Sequence, residues 1–256
     1  MLVIRPNQLE VFRAAARESF VDAMVAHLAD FTPPLYKTLG PDATREAVRW
    51  GMEQAAGYGF RQRGPVRLYL ELMVLFGSRF ATDPQYPWAA AILADQDAAS
   101  QMRRARTLHR HVLKYRQAVA GPGDGWTLRA LRNIRAWAAG PIDFAPDRLV
   151  PTMLDVCTAI YPEKAAYVGH EALTALIRKG GQGARNQRFT SPRAMALVVV
   201  LMLAFGHGCG TDPFYPWITR TLRDERFTDP AARAARLEQR ALTWLERVLV
   251  NLETPS

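Results

Sequence analysis

The pattern Thr-Asp-Pro-x-Tyr-Pro-Trp occurs twice in this chain, within FATDPQYPW at residues 80–88 and within CGTDPFYPW at residues 209–217. The two copies lie 129 positions apart, and ten of the seventeen residues from 72 to 88 are identical to those 129 positions later. The same offset relates Met24 to Met153, Pro33 to Pro162 and Leu108 to Leu237. Because self-similarity at a fixed offset marks a repeated structural unit, we expect two copies of a unit of about 100 residues.

Apolar spacing predicts that each copy is helical. Residues Tyr69, Met73, Phe76 and Phe80 recur at three- and four-residue intervals, and their counterparts are Val198, Met202, Phe205 and Cys209. Such a stripe is typical of a helix with one buried face. The apolar run at residues 194–205 contains twelve residues, whereas a membrane span needs about 20, so we expect a buried core helix there.

Glycine and proline predict where helices end and begin. Gly40-Pro41 predicts a break followed by a restart, and Pro84 and Pro213 predict the first residue of a fourth helix in each copy. No segment alternates between apolar and polar residues as a strand would. The predicted class is therefore all-α: a tandem duplication of a roughly five-helix unit, packed as a pseudo-symmetric helical repeat.

The repeat defines the expected domain organisation. Residues 1–119 form the first helical unit and residues 147–256 the second. The segment 120–146 contains the glycine- and proline-rich stretches AGPGDG and AAGPIDFAP, so we interpret it as a linker, with a short helix near residues 126–138.

A structural role accounts for the motif itself. An aspartate before a proline is a typical N-cap, since its carboxylate accepts N–H groups of the first turn and the proline needs no hydrogen bond there. The aromatic residues would then pack against the preceding helix. A catalytic or metal-binding role would require a second acid, a histidine or a nucleophile in both copies, and none recurs. The structural motif residues are Asp83, Pro84, Tyr86, Trp88, Asp212, Pro213, Tyr215 and Trp217.

The charge pattern identifies two candidate partner-binding segments. The net charge of +9 favours an acidic partner surface, or less specifically nucleic acid or anionic lipid. In the segment 103–116, the apolar positions are shared by both copies, whereas Arg106, Arg110 and Lys114 become Ala235, Gln239 and Thr243. A solvated face is the alternative to a binding face there. The second segment, RKGGQGARNQR at residues 178–188, reads as a basic, glycine-rich loop, and a solvated flexible loop is the alternative to an anion-binding one. The candidate residues are Arg103, Arg106, Arg110, Lys114, Arg178, Lys179 and Arg185.

Other chemistry has weak support in the sequence. His207 lies two residues from Cys209, but Cys209 and Cys157 replace Phe80 and Leu28 of the first copy, which indicates buried apolar positions. The five histidines form no zinc motif. We therefore expect no catalytic residues, no metal and no cofactor. Two cysteines and an N-terminus without a signal-peptide pattern predict a cytoplasmic protein.

Three stretches resemble a group of proteobacterial proteins encoded beside genes for type VI secretion spike or PAAR-tip components and their toxic effectors. These are IRPNQLEVFRAAARESFVDAMVAHL, AAGYGFRQRGPVRLYLELMVLFG and TDPQYPWAAAIL, and the resemblance covers roughly the first 95 residues. It implies a non-enzymatic protein-binding accessory of an effector, an adaptor or chaperone for its loading. The partner would be a toxin effector or a spike component with an acidic surface.

Two alternatives remain open at this stage. The same resemblance is compatible with an immunity protein that neutralises the cognate effector. The basic segment 103–116 could instead contact nucleic acid, which salt-dependent retention on DNA would indicate.

Overall fold

The computed structural model describes residues 5–95 and 100–253, and the regular secondary structure of these residues is entirely helical. The predicted all-α class is confirmed. The helices are α1 Pro6–Phe31, α2 Pro33–Gly57, α3 Arg63–Phe76, α4 Pro87–Ala94, α5 Gln101–Val119, α6 Gly125–Ala139, α7 Leu149–Ile160, α8 Pro162–Val168, α9 His170–Asn186, α10 Pro192–Phe205, α11 Pro216–Leu222 and α12 Pro230–Glu253.

Several equivalent helices keep the offset seen in the sequence. Helices α3 and α10 begin and end 129 residues apart, α4 and α11 begin 129 residues apart, and so do α5 and α12. Within α2, Gly40 has a non-helical backbone with φ 77°, and Gly169 with φ 84° separates α8 from α9. Positive φ is favourable only for glycine. Gly40 therefore bends the chain at the predicted stop, and Gly169 bends it at the equivalent position of the second half.

The fourth helices begin later than the sequence predicted. We expected them to start at Pro84 and Pro213, but α4 starts at Pro87 and α11 at Pro216. The second proline of each motif occupies the first turn, where its missing N–H has no partner to lose. The first proline lies in a turn, because the preceding aspartate binds a backbone N–H two residues later.

The expected glycine-rich loop at residues 178–188 is instead the end of α9, which continues to Asn186. Gly180 and Gly181 are buried there. A Cβ added at Gly180 would lie 2.7 Å from Val199 Cγ2, and one added at Gly181 would lie 2.6 Å from Leu149 Cδ2. These glycines let α9 approach α7 and α10 closely, and the packing outweighs their low helix propensity.

The apolar side chains form two buried clusters that meet between the halves. One joins α1, α2, α3 and α5, and the other joins α7, α9, α10 and α12. Phe214 of the second half is buried in the first cluster. The linker helix α6 packs on α7 and α12 and adds Ile134 and Trp137 to the second cluster.

The apolar run predicted to be a core helix lies in α10 and is mostly buried. Across the described ranges, no helix is both long enough and apolar enough to cross a membrane.

We expect Gly180→Ala to lower the free energy of unfolding by about 1–3 kcal/mol, because its new Cβ would collide with Val199 across the α9–α10 contact. Gly57→Ala is the matched control, since a Cβ there meets no atom within 4 Å. It should leave stability unchanged or raise it by up to about 1 kcal/mol. Urea unfolding of both variants measures this, and equal effects would contradict the close-packing role of Gly180.

Candidate functional site

The aspartates of the two motifs lie directly after short 3-10 turns, at residues 80–82 and 209–211. Asp83 Oδ1 accepts the backbone N–H of Gln85 at 2.9 Å, and Asp212 Oδ1 accepts that of Phe214 at 2.8 Å. Each aspartate therefore forms a local turn through its side chain. The residue that precedes α4 is Tyr86 rather than Asp83, so the predicted N-cap role is wrong.

The second oxygen of each carboxylate binds the other half of the chain. Asp83 Oδ2 accepts the backbone N–H of His207 at 2.6 Å, and Asp212 Oδ2 accepts that of Ser78 at 2.7 Å. Residues 78 and 207 are 129 apart, as are residues 83 and 212, so the two contacts are reciprocal. Both carboxylates are almost completely buried. Their hydrogen bonds satisfy two backbone donors that would otherwise be buried without a partner.

Two glycines bring the halves into backbone contact at the same place. Gly77 and Gly206 follow the last residues of α3 and α10, with φ 89° and 85°. A Cβ at Gly77 would lie 2.2 Å from Phe205 O, and one at Gly206 would lie 2.6 Å from Phe76 O. Only glycine fits both the positive φ and this close approach.

The aromatic residues of each motif pack on the end of the preceding helix. The Phe76 ring lies 4.6 Å from Tyr86 and 5.9 Å from Trp88, measured between centroids. In the second half, Phe205 lies 4.5 Å from Tyr215 and 6.2 Å from Trp217. The edge-on geometry of the Trp pairs is one that aromatic rings prefer. Each motif therefore anchors its turn on its own helix and reaches across with its carboxylate.

The electrostatics of the two aspartates differ because His207 stands where the first half has Ser78. Its Nδ1 lies 3.2 Å from Asp83 Oδ2. Burial raises the pKa of Asp83, but hydrogen bonding and charge from His207, with the N–H of Gln85, outweigh burial and leave that pKa below its usual value. Burial also raises the pKa of Asp212, and the N–H groups of Ser78 and Phe214 offset it only in part, so that pKa stays raised.

A buried lysine lies at the same junction, and the sequence analysis missed it. Lys164 is 5% exposed, and its Nζ donates to Leu203 O at 2.6 Å and to Tyr86 Oη at 3.4 Å. The Leu203 carbonyl belongs to the last turn of α10, where cations are favoured. Burial lowers the pKa of Lys164 to about 8, although the charge of Asp83 acts in the opposite direction. One sequence signal could have identified this lysine: the equivalent residue of the first half is Leu35, which indicates a buried position.

The cysteines behave as buried apolar residues. Burial raises the pKa of Cys157 and of Cys209 to about 12, so both thiols stay protonated near neutral pH. The pairing of His207 with Cys209 suggested by the sequence therefore provides no thiolate. No group of three or more metal-ligating side chains occurs among residues 5–95 and 100–253.

The basic residues of α5 form an exposed row. Arg103, Arg106, Arg110 and Lys114 all face solvent, and within the described residues none of them forms an ion pair with a carboxylate. Burial, followed by the charges of Lys114 and Arg110, lowers the pKa of the neighbouring His111. The row therefore produces a positive field that the described acidic residues do not neutralise.

An apolar groove lies beside this row, between the start of α3 and the first half of α5. Its volume is about 580 Å³, and Met102 on its edge is 38% exposed. We call it the α3–α5 groove; it combines an apolar floor with a basic rim, and its principal residues are Pro65, Leu68, Met102, Arg103, Arg106 and Arg110.

The second set of predicted binding residues lies on another helix. Arg178, Lys179 and Arg185 are exposed on α9. Helix α9 packs on α7, α8 and α10, whereas α5 packs on α3, α4 and α8. Among the described residues, no hydrogen bond or ion pair links the two basic sets. Arg185 donates to Gln182 on its own helix at 3.1 Å.

No family model, curated protein or solved structure matches this chain. The contacts and charges of its own residues are therefore the basis for assigning a function.

We expect Asp83→Ala and Asp212→Ala each to lower the free energy of unfolding by roughly 2–4 kcal/mol, because each change leaves two backbone donors without their acceptor. Thr211→Ala is the control, since this exposed residue belongs to the same motif. Urea unfolding gives the values. A loss no larger than that of an ordinary helix cap, about 1 kcal/mol, would contradict the contact between the halves.

Lys164→Leu, which introduces the residue found at the equivalent position 35, tests the buried lysine. The pKa of Lys164 falls to about 8 in the folded protein. Above that pH, the unfolded chain therefore binds more protons than the folded protein does. Wild-type stability should therefore rise relative to the variant by about 1 kcal/mol per pH unit from about pH 8 to about pH 9.5. Urea unfolding at several pH values measures this difference, and parallel pH profiles would contradict the assigned burial.

Proposed function

We propose that this chain is a non-enzymatic, protein-binding accessory of a type VI secretion effector, an adaptor or chaperone that helps to load the effector. The observation that carries the proposal is the exposed basic row of α5, which forms no ion pair within residues 5–95 and 100–253, beside the apolar α3–α5 groove. The resemblance of the first roughly 95 residues to proteins encoded beside spike and effector genes supports the secretion system and a cytoplasmic location.

The combination of charge and apolar surface suits a protein partner. Arginine and methionine are enriched at protein interfaces, and Met102 and Arg103 are adjacent exposed residues on the groove. Exposed arginines accelerate the encounter with an acidic surface, and the apolar floor then contributes buried area. The partner would be a toxin effector or a spike component with an acidic surface.

A tandem duplication would explain why the two halves carry different surfaces. In support, α3 and α10 have bounds 129 residues apart, and the carboxylates of Asp83 and Asp212 make reciprocal contacts. The proposed arrangement is two five-helix units, residues 1–119 and 147–256, joined by the linker 120–146. One copy would preserve the fold while the other acquires a binding face.

An immunity protein is the second candidate, since it would use the same kind of surface on the same effector. An acidic toxin domain would fit the basic row of α5 as well as an acidic loading segment would. Nucleic acid is the third candidate ligand for this row, and the salt dependence of DNA binding would reveal it.

We expect the triple variant Arg106→Glu, Arg110→Glu, Lys114→Glu to lose capture of the toxin effector encoded nearest to this chain's gene. Co-expression followed by purification at moderate salt measures capture. Because all three side chains are exposed, the circular dichroism spectrum and melting temperature should stay near wild type. The association rate should fall at least about tenfold, with a weaker dependence on salt.

The triple variant Arg178→Glu, Lys179→Glu, Arg185→Glu is the matched control, because it makes the same change in net charge on α9. Capture that survives the α5 change but not the α9 change would move the site to α9. Growth of cells that express the toxin separates the two roles: rescue by this chain indicates an immunity protein, and no rescue despite capture indicates an adaptor.

A further inference from the structure

In the second half, part of the surface equivalent to the α3–α5 groove lies beside a helix of this chain. Helix α6 packs on α7 and α12, and its Ile134 and Trp137 line a cavity of about 50 Å³ together with Leu197 of α10. Leu197 stands 129 residues after Leu68 of the groove. The second half therefore shows how a surface of this shape is used: it binds one helix through an apolar stripe.

The end of that helix is held by residues that the first half lacks. Arg193 donates to Ala138 O at 2.6 Å and to Gly140 O at 3.0 Å, and its Nε donates to the Glu238 carboxylate at 3.0 Å. The equivalents of Arg193 and Glu238 are Gly64 and His109. Both of these line the α3–α5 groove, so the groove has neither the clamp nor the acidic side chain.

The first half also exposes a large apolar side chain on each of α3 and α5. Leu75 and Leu113 are 45% and 53% exposed. Their counterparts, Ala204 and Leu242, line the cavity beside α6; Ala204 is exposed there as well, whereas Leu242 is only partly exposed. Leu113 lies seven residues after Arg106, so both side chains lie on the same side of α5. The groove and these leucines form one uncovered surface along α3 and α5.

We infer that the α3–α5 groove binds an amphipathic helix of the protein partner, whose apolar stripe packs on Leu68 and Met102 and whose acidic residues face Arg103, Arg106 and Arg110. This inference rests on the proposed accessory function and specifies the segment of the partner that is recognised. Helix-in-groove binding through residues spaced three and four apart is a common mode of peptide recognition.

The charge of the groove determines the charge of its occupant. In the second half, the positions of Arg103, Arg106 and Arg110 are Ala232, Ala235 and Gln239. These three positions are neutral and exposed, so no basic row lies along α12 near α6, whose exposed residues include three arginines. A helix with the same apolar stripe but with basic residues would be repelled by the α3–α5 rim, as would a second copy of this chain with its net charge of +9.

The probe is a 15-residue peptide with the sequence of α6, residues 125–139, in which Arg129, Arg132 and Arg135 are replaced by glutamate. The unaltered α6 sequence is its matched control. We expect the acidic peptide to bind the full-length protein at least about tenfold more tightly than the control, by fluorescence anisotropy, because only its charges complement the rim. Higher salt should narrow this difference.

Substitutions on the protein locate the binding. Arg103→Glu, Arg106→Glu, Arg110→Glu should weaken binding of the acidic peptide at least about tenfold, and Met102→Glu should weaken it without changing the melting temperature. The α9 triple variant described above should bind as wild type does. Equal binding of both peptides, no binding of the acidic peptide, or equal loss in the α5 and α9 variants would each overturn the inference.

Two further outcomes separate this inference from the proposed function. If the acidic peptide fails to bind but effector capture still requires Arg106, Arg110 and Lys114, the accessory role stands and the helix is the wrong occupant. If the protein sediments as a dimer that Met102→Glu dissociates, the groove is occupied by a second copy, and the inference is wrong.

Discussion

The arrangement of the two halves depends on a reciprocal pair of hydrogen bonds, from His207 N–H to Asp83 and from Ser78 N–H to Asp212. Each carboxylate closes a turn in its own half with one oxygen and binds a backbone N–H of the other half with the second. Gly77 and Gly206 permit the approach, since any side chain there would collide with a carbonyl of the opposite half. A buried carboxylate is tolerated when it is fully hydrogen-bonded, and here the donors come from both halves. Stability of the turn and docking of the halves are therefore coupled through the same side chains.

This junction is symmetric in its hydrogen bonds but not in its charges. His207 holds the pKa of Asp83 low, whereas burial raises the pKa of Asp212 by more than the hydrogen bonds of Ser78 and Phe214 and the charge of Arg79 lower it. Lys164 adds a buried amine that replaces the Leu35 of the first half and caps the end of α10. Each of these polar residues lies where the other half has a smaller or apolar residue. The geometry of the motif is thus compatible with different electrostatic environments, because the backbone donors, and not the neighbouring side chains, hold the aspartates in place.

The surfaces of the two halves differ in the same way. In the second half, α6 packs on α7 and α12, and Arg193 donates hydrogen bonds to the carbonyl groups at its end. In the first half, α3 and α5 keep an apolar groove bordered by exposed arginines. Two halves with different surfaces are suited to the proposed partner binding: the half that packs α6 would contribute stability, and the half with the open groove would contribute recognition. The proposed accessory role rests on this difference together with the sequence resemblance.

The sequence by itself determined the helical class, the 129-residue offset and the buried stripe of α3, because helix periodicity and self-similarity are local properties that a single chain displays. It also indicated the basic row of α5, since charge at a spacing of four is visible without contacts. Tertiary structure alone decided the partners of Asp83 and Asp212, because an N–H group more than 120 positions away leaves no local signal. Tertiary packing also decided that most of the glycine-rich segment 178–188 forms the end of helix α9 and not a loop. There, close packing against α7 and α10 outweighs the local preference of glycine for loops.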